Sequence, residues 1–222
     1  MRGFAGVGSG LMMAPFFVGF FGPVTTVAII AIIEFVVTAQ MWPSVYRHIN
    51  WRLITPMALA AACFMPLGIF LVTRVEPDLI KRGIGVMLIA LTILLLSGWR
   101  YRGPKRLPIT LGVGAASGAL FTSTSLGGPP VIVYFLSGQD SATETRANFT
   151  GYFGLTLIAG FIVLGSQSMI EMSAVKKAAI MLPGYILAVW VGSRMFSKAN
   201  EELYRRVAFA IVFCVGLYAL LS

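Results

Sequence analysis

Charge is scarce in this chain, and acid is scarcest: eight Asp and Glu residues stand against seventeen Lys and Arg in 222 positions. Soluble domains carry about a quarter charged residues; here 11% are charged and 58% hydrophobic, which excludes an ordinary water-soluble globule. Histidine occurs once, as His48 in a loop, and cysteine twice, at Cys63 and Cys214. No set of His and Cys completes a zinc or haem site, so no metal and no cofactor is expected. Both cysteines fall inside apolar stretches and read as reduced core residues, not as a disulfide. No nucleophile, base and acid set and no phosphate loop is visible, which argues against an intramembrane enzyme.

What is present in abundance is long uncharged apolar sequence, as in Val24 to Met41, Pro56 to Thr73, Gly83 to Ser97 and Val207 to Leu221. A helix rises about 1.5 Å per residue, so stretches of roughly 17 to 25 residues cross a hydrocarbon core about 30 Å thick. A soluble bundle would need a charged outer face on each helix, and Val207 to Leu221 is apolar all round. The formal charge of +9 would suggest nucleic acid in a soluble domain. Here the basic residues crowd between apolar stretches, the positive-inside pattern, so the lipid bilayer is the partner and nucleic acid is not. Arg2 before an apolar stretch imitates a signal peptide, but no soluble domain follows it.

An internal repeat organises the chain. Gly8-Ser9-Gly10 precedes an apolar run in the first half and Leu126-Gly127-Gly128-Pro129-Pro130 does so in the second; Leu67-Gly68 with Lys81-Arg82 matches Val191-Gly192 with Arg205-Arg206. Each repeat reads as a Gly-rich element followed by three helices, at about 24–42, 53–73 and 79–98, then 144–165, 174–194 and 203–221. The first repeat covers 1–98, a basic cytoplasmic linker 99–107 and the second repeat 108–222. Three crossings after an element that enters and leaves on one side would invert the second repeat. Inversion puts Arg47, Arg52, Arg100, Arg102, Lys105, Arg106, Arg146, Arg194, Lys198, Arg205 and Arg206 inside, eleven of seventeen, where plain threading gives nine against eight. Roughly twenty residues lead into Gly127 but only seven precede Gly8, which points to a missing upstream portion of the first element. The expected fold is thus all-α: a polytopic helical membrane protein of two inverted repeats, each a broken or re-entrant Gly-rich helix plus three transmembrane helices.

Gly6, Gly8 and Gly10 with Pro15, and Gly127-Gly128 with Pro129-Pro130, are the residue types of interrupted helices. A helix end exposed at bilayer depth offers unpaired N–H groups and partial positive charge, a seat for an anion. The plainer reading is that glycines allow close helix packing and prolines kink; occurrence at matching places in both halves favours a transport site. Glu144, Asn148, Tyr152 and Thr156, four residues apart, form a polar stripe that should face the interior. Arg146 lies off that stripe, where it would either help hold an oxyanion or snorkel to the interface. Glu34 is the one acid deep in a first-half apolar segment, and with Thr38 it falls on the equivalent stripe. It would serve either as a proton-coupling site or as a structural hydrogen-bonding group. Trp42, Trp51, Trp99 and Tyr101 cluster at helix ends as an interfacial belt.

The duplicated break, Gly6-Val7-Gly8-Ser9-Gly10 with Pro15 and Gly127-Gly128-Pro129-Pro130, resembles the sulfite exporter TauE/SafE family. So do Ile49-Asn50-Trp51, Gly68 and Gly192, and the pairs Lys81-Arg82 and Arg205-Arg206. The stretch Gly128 to Leu136 with Arg146-Ala147-Asn148 is similar to one branch of it. Ser9 stands where a third consecutive glycine is usual, and Glu34 also departs from the pattern. The resemblance implies transport of small anions, sulfite, sulfonates and related organosulfur compounds, across the bacterial inner membrane. The resulting expectation is a secondary carrier with a small anionic substrate, bound by Gly8, Gly10, Gly127, Gly128, Pro129, Arg146, Asn148, Tyr152 and Thr38, with Glu34 for proton coupling. The rival readings are a passive small-solute channel and a non-transporting membrane subunit of a complex.

Overall fold

The computed structural model describes residues 9–97, 105–136 and 142–196, together with Leu217. Among these residues every regular element is helical. In the first half they are α1 (Ser9–Phe21), α2 (Pro23–Val45), a 3-10 turn Tyr46–His48, α3 (Trp51–Arg74) and α4 (Pro77–Leu96). In the second half they are α5 (Leu107–Thr124), α6 (Gly128–Leu136), α7 (Ala142–Ser166) and α8 (Met172–Phe196). Five of the six expected helices lie within a few residues of their predicted ends; the sixth, 203–221, falls outside the described residues, as do Gly6, Gly8 and Cys214. Four helices contain stretches long and apolar enough to cross a membrane: Pro23–Gln40, Trp51–Arg74, Leu107–Thr124 and Ala147–Ser166. The protein is therefore an integral membrane protein of helical type.

Trp51 and Met172 open corresponding helices of the two halves, 121 residues apart. Prolines do part of this placement: Pro23 and Pro108 sit in the first turn of α2 and α5, where the missing N–H would have no intrahelical partner. Gly22, at φ 76, makes the tight corner between α1 and α2 that a side chain would strain. Gly10 and Pro15 both lie inside α1.

Helix α2 lies centrally, packed on α1, α7 and α8, and Val27 to Ala31 along it are all buried. The closest pairing joins the two halves: α3 against α5. Gly114 and Gly118 of α5 lie on the carbonyls of Met57 and Ala61, and Gly68 of α3 on that of Ala119; a Cβ at any of the three would overlap backbone. This small-xxx-small contact brings the backbones close enough for the Thr122 hydroxyl to donate to the Met65 carbonyl at 2.7 Å. In lipid, dispersion contacts and such bonds hold helices together, since tails are as apolar as leucine.

The outer faces are greasy: Phe20, Leu59, Phe70, Ile162, Ile180 and Leu187 are all exposed, as lipid contact requires. Cys63 stands among them on the outer side of α3, a correction to its reading as a core residue. The inward face of α3 is already filled at four-residue spacing by Met57, Ala61 and Met65, which turns position 63 outward. Trp42 also differs from a belt residue, because its ring packs on Gly154 of α7.

Candidate functional site

Helix α5 buries a polar and small stripe, Thr110, Gly114, Ser117, Gly118 and Thr122, while Leu107 and Leu111 face outward. Hydroxyl-bearing helices pack this way in lipid because each hydroxyl finds a carbonyl, its own or a neighbour's. At its end Ser125 takes the left-handed conformation, φ 61, and its N–H closes the helix on the Phe121 carbonyl. The chain then turns back along α5. Two hydrogen bonds fix the path: Ser117 Oγ donates to the Gly127 carbonyl, and the hydroxyls of Thr110 and Tyr134 bond each other.

Those bonds set the levels. Gly127 lies beside Ser117, about 15 Å along the roughly 27 Å of α5, and Tyr134 returns to the level of Thr110 near its start. Residues 107–134 thus form a hairpin in which α6 packs back along α5, with Gly127 about midway along that helix. The Gly127-Gly128 pair is the expected interruption, and glycine is needed there. A Cβ on Gly127 would stand 3.0 Å from both the Phe121 Cβ and the Ser117 carbonyl oxygen.

The break concentrates hydrogen-bonding capacity. Pro129 and Pro130 carry no N–H, so the first turn of α6 can present only the N–H of Gly128, beside that of Gly127. The Leu126 N–H is taken by Thr124 Oγ1 at 3.3 Å. One side-chain group there, Ser125 Oγ, is enclosed without a hydrogen bond among the described residues. Tyr152 is fully buried on α7 with its hydroxyl against Ser117, whose own proton goes to Gly127. Ordinary interiors satisfy nearly all buried hydroxyls, so the open one on Ser125 is exceptional.

The other expected site residues divide. Asn148, Tyr152 and Thr156 are all buried, so the stripe on α7 faces the interior, whereas Glu144 at its head is exposed. Asn148 already plays a structural part, because its side-chain carbonyl accepts the Asn50 N–H at 2.8 Å, across 98 residues, and so caps the start of α3. Arg146 stands in the first turns of α7 and its side chain lies outside the described residues. Thr38, also buried, donates to the Glu34 carbonyl at 2.7 Å on its own helix. Glu34 reaches across to the second half, where the Tyr185 hydroxyl donates to its carboxylate at 3.2 Å. Ser117 and Ser125 escaped the sequence reading. The signal for Ser117 was the spacing of Thr110, Gly114, Ser117 and Thr122 within a run read as uniformly apolar, and for Ser125 its place two residues before the double glycine.

A bundle of apolar-faced helices around an interrupted, polar helical hairpin is compatible with a small-solute membrane transporter. The chain belongs to the sulfite exporter TauE/SafE family, whose sequence profile matches residues 1–219. It is similar, at 23% identity over 221 residues, to a protein of Cupriavidus necator named as a probable sulfite/organosulfonate exporter TauE; the match covers 95% of this chain and 81% of that protein. No solved structure gives a significant match.

Proposed function

We propose that this protein is a secondary carrier of a small sulfur oxyanion, sulfite or an organosulfonate, in the bacterial inner membrane. The carrying observation is the hairpin break beside Ser117, midway along α5 and next to the enclosed, open Ser125 hydroxyl, in a chain whose family and relative bear an exporter's name. A helix start there favours negative charge. Gly127, Gly128 and Tyr152 contribute to the seat directly. Pro129 contributes by pre-setting the helix and limiting its donors. Arg146, six residues before Tyr152 or about 9 Å along α7, supplies the cation at its approach. Gly8, Gly10 and Thr38 belong to the first-half counterpart, and Glu34 is the candidate for proton coupling.

The two repeats, 1–98 and 108–222 about the 99–107 linker, are related by inversion in this reading. The distribution of basic residues supports it. The test is flux of labelled sulfite into proteoliposomes. Saturable uptake that speeds up when unlabelled sulfite is inside supports a carrier. Flux rising linearly with concentration would replace it with a channel, and no flux of any sulfur oxyanion with a non-transporting subunit.

A further inference from the structure

We infer that the turn between α2 and α3 is a docking site for an anionic diacyl phospholipid, its phosphate held by Arg47 and Arg52 and its acyl chains lying along the outer face of α3.

The turn joins two candidate membrane spans, one ending at Gln40 and the next starting at Trp51, and so lies at a membrane surface. It is held from the inside. Ile49 is buried against Gly151 of α7, the Asn50 N–H donates to the Asn148 side chain, and the Trp42 ring packs on Gly154. With those groups turned inward, Tyr46, Arg47, His48, Trp51 and Arg52 are all exposed. A backbone already fixed presents its cations with little further ordering cost on binding.

Arg47 is fixed further. Its Nε donates to the Tyr46 hydroxyl at 3.0 Å, and its guanidinium stands 5.6 Å from the centre of that ring. Among the described residues these are the only contacts that either guanidinium makes, so no carboxylate there neutralises the pair. A guanidinium stays charged and presents a planar fork of donors that matches phosphate oxygens. Trp51, with its ring 6.1 Å from that of Trp42, precedes Arg52 and supplies the amphipathic ring that sits well at headgroup level. An anionic headgroup is preferred to a zwitterionic one, whose own ammonium would meet the same two cations.

Below Arg52 the exposed residues of α3 follow at three- and four-residue steps, Thr55, Leu59, Cys63, Leu67 and Phe70, and so form one strip. Leu59 and Cys63 lie about 10 and 16 Å from Arg52 along the axis, the depth of one leaflet. Paired cations at the surface with an apolar strip leading away from them fit an amphiphile; a soluble phosphate would use only the cations. The other end of α3 lacks the pairing, because Arg74, 5.9 Å from the Phe70 ring, is the only basic residue of the last turn.

The test is native mass spectrometry of the purified full chain in detergent, titrated with phosphatidylglycerol, phosphatidylcholine and water-soluble glycerol 1-phosphate. The variants are Arg47→Gln, Arg52→Gln and, as a control at the far end of the same helix, Arg74→Gln. Phosphatidylglycerol should bind about tenfold more tightly than phosphatidylcholine and raise the melting temperature more. Each of the first two variants should lose about fivefold of that binding, with Arg74→Gln unchanged and no adduct of glycerol 1-phosphate at the same concentration. Phosphatidylcholine binding as tightly as phosphatidylglycerol, Arg47 and Arg52 variants that bind like wild type, or an equal loss in Arg74→Gln would overturn the site. Glycerol 1-phosphate binding as tightly as the lipid would also overturn it, in favour of a site for a soluble phosphate.

Discussion

Helix α5 meets the molecule in two opposite ways. Along its length against α3 the backbones touch at Gly68, Gly114 and Gly118, and the Thr122 hydroxyl bonds both Met65 and Gly118. At its end the backbone turns through a left-handed serine, Ser125, whose hydroxyl stays open. Complete satisfaction marks what must not move, and incomplete satisfaction marks what is kept for a ligand. The seam also joins the two sequence halves, and Asn148 of the second half caps α3 of the first. Two rigid halves rocking apart at this contact would break the closest helix pairing among the described residues.

Four substitutions break or sharpen this contrast. The largest effect belongs to Gly118→Val, whose side chain has only the Ala61 carbonyl to enter; about 3 kcal/mol or more should be lost, seen as failure to fold or a steep fall in melting temperature in detergent. Gly112→Ala on the same helix faces open space and should melt at or slightly above wild type, through helix propensity alone. Asn148→Ala leaves the Asn50 N–H unpaired at a helix start, for a loss of about 1–3 kcal/mol. A residue whose only role is ligand contact would change binding without this loss, so the melting curve separates the two roles. Thr122→Val removes one interhelical bond and should cost about 1 kcal/mol in thermal unfolding.

Glu34→Gln should be smallest in stability, because an amide oxygen still accepts from Tyr185. Its effect is sought in flux measured across a pH series. A flattened profile supports coupling at Glu34, and an unchanged profile reduces it to a structural hydrogen-bonding group.

Helix positions were legible in the sequence because each is a long apolar run bounded by proline, glycine or basic residues, as Pro23, Pro77 and Arg74 show. The break at Gly127-Gly128 was legible for the same chemical reason: two prolines after two glycines can only start a helix anew. Partnership was not legible. Nothing local says that Gly114 and Gly118 serve α3, or that Asn148 caps a helix start 98 residues earlier, because those contacts exist only once the chain has closed on itself. Pro15 lies within α1, whose Ala14 and Val18 are buried.

The most direct measurement concerns access to the break. In a chain with Cys63 and Cys214 replaced by alanine, Ser125→Cys should react with a small, water-soluble, sulfonate-bearing methanethiosulfonate, and added methanesulfonate should slow that labelling. Leu59→Cys, on the outer apolar face of α3, should show no such protection. A thiol at position 125 that never reacts, or reacts at a rate methanesulfonate leaves unchanged, would contradict the account.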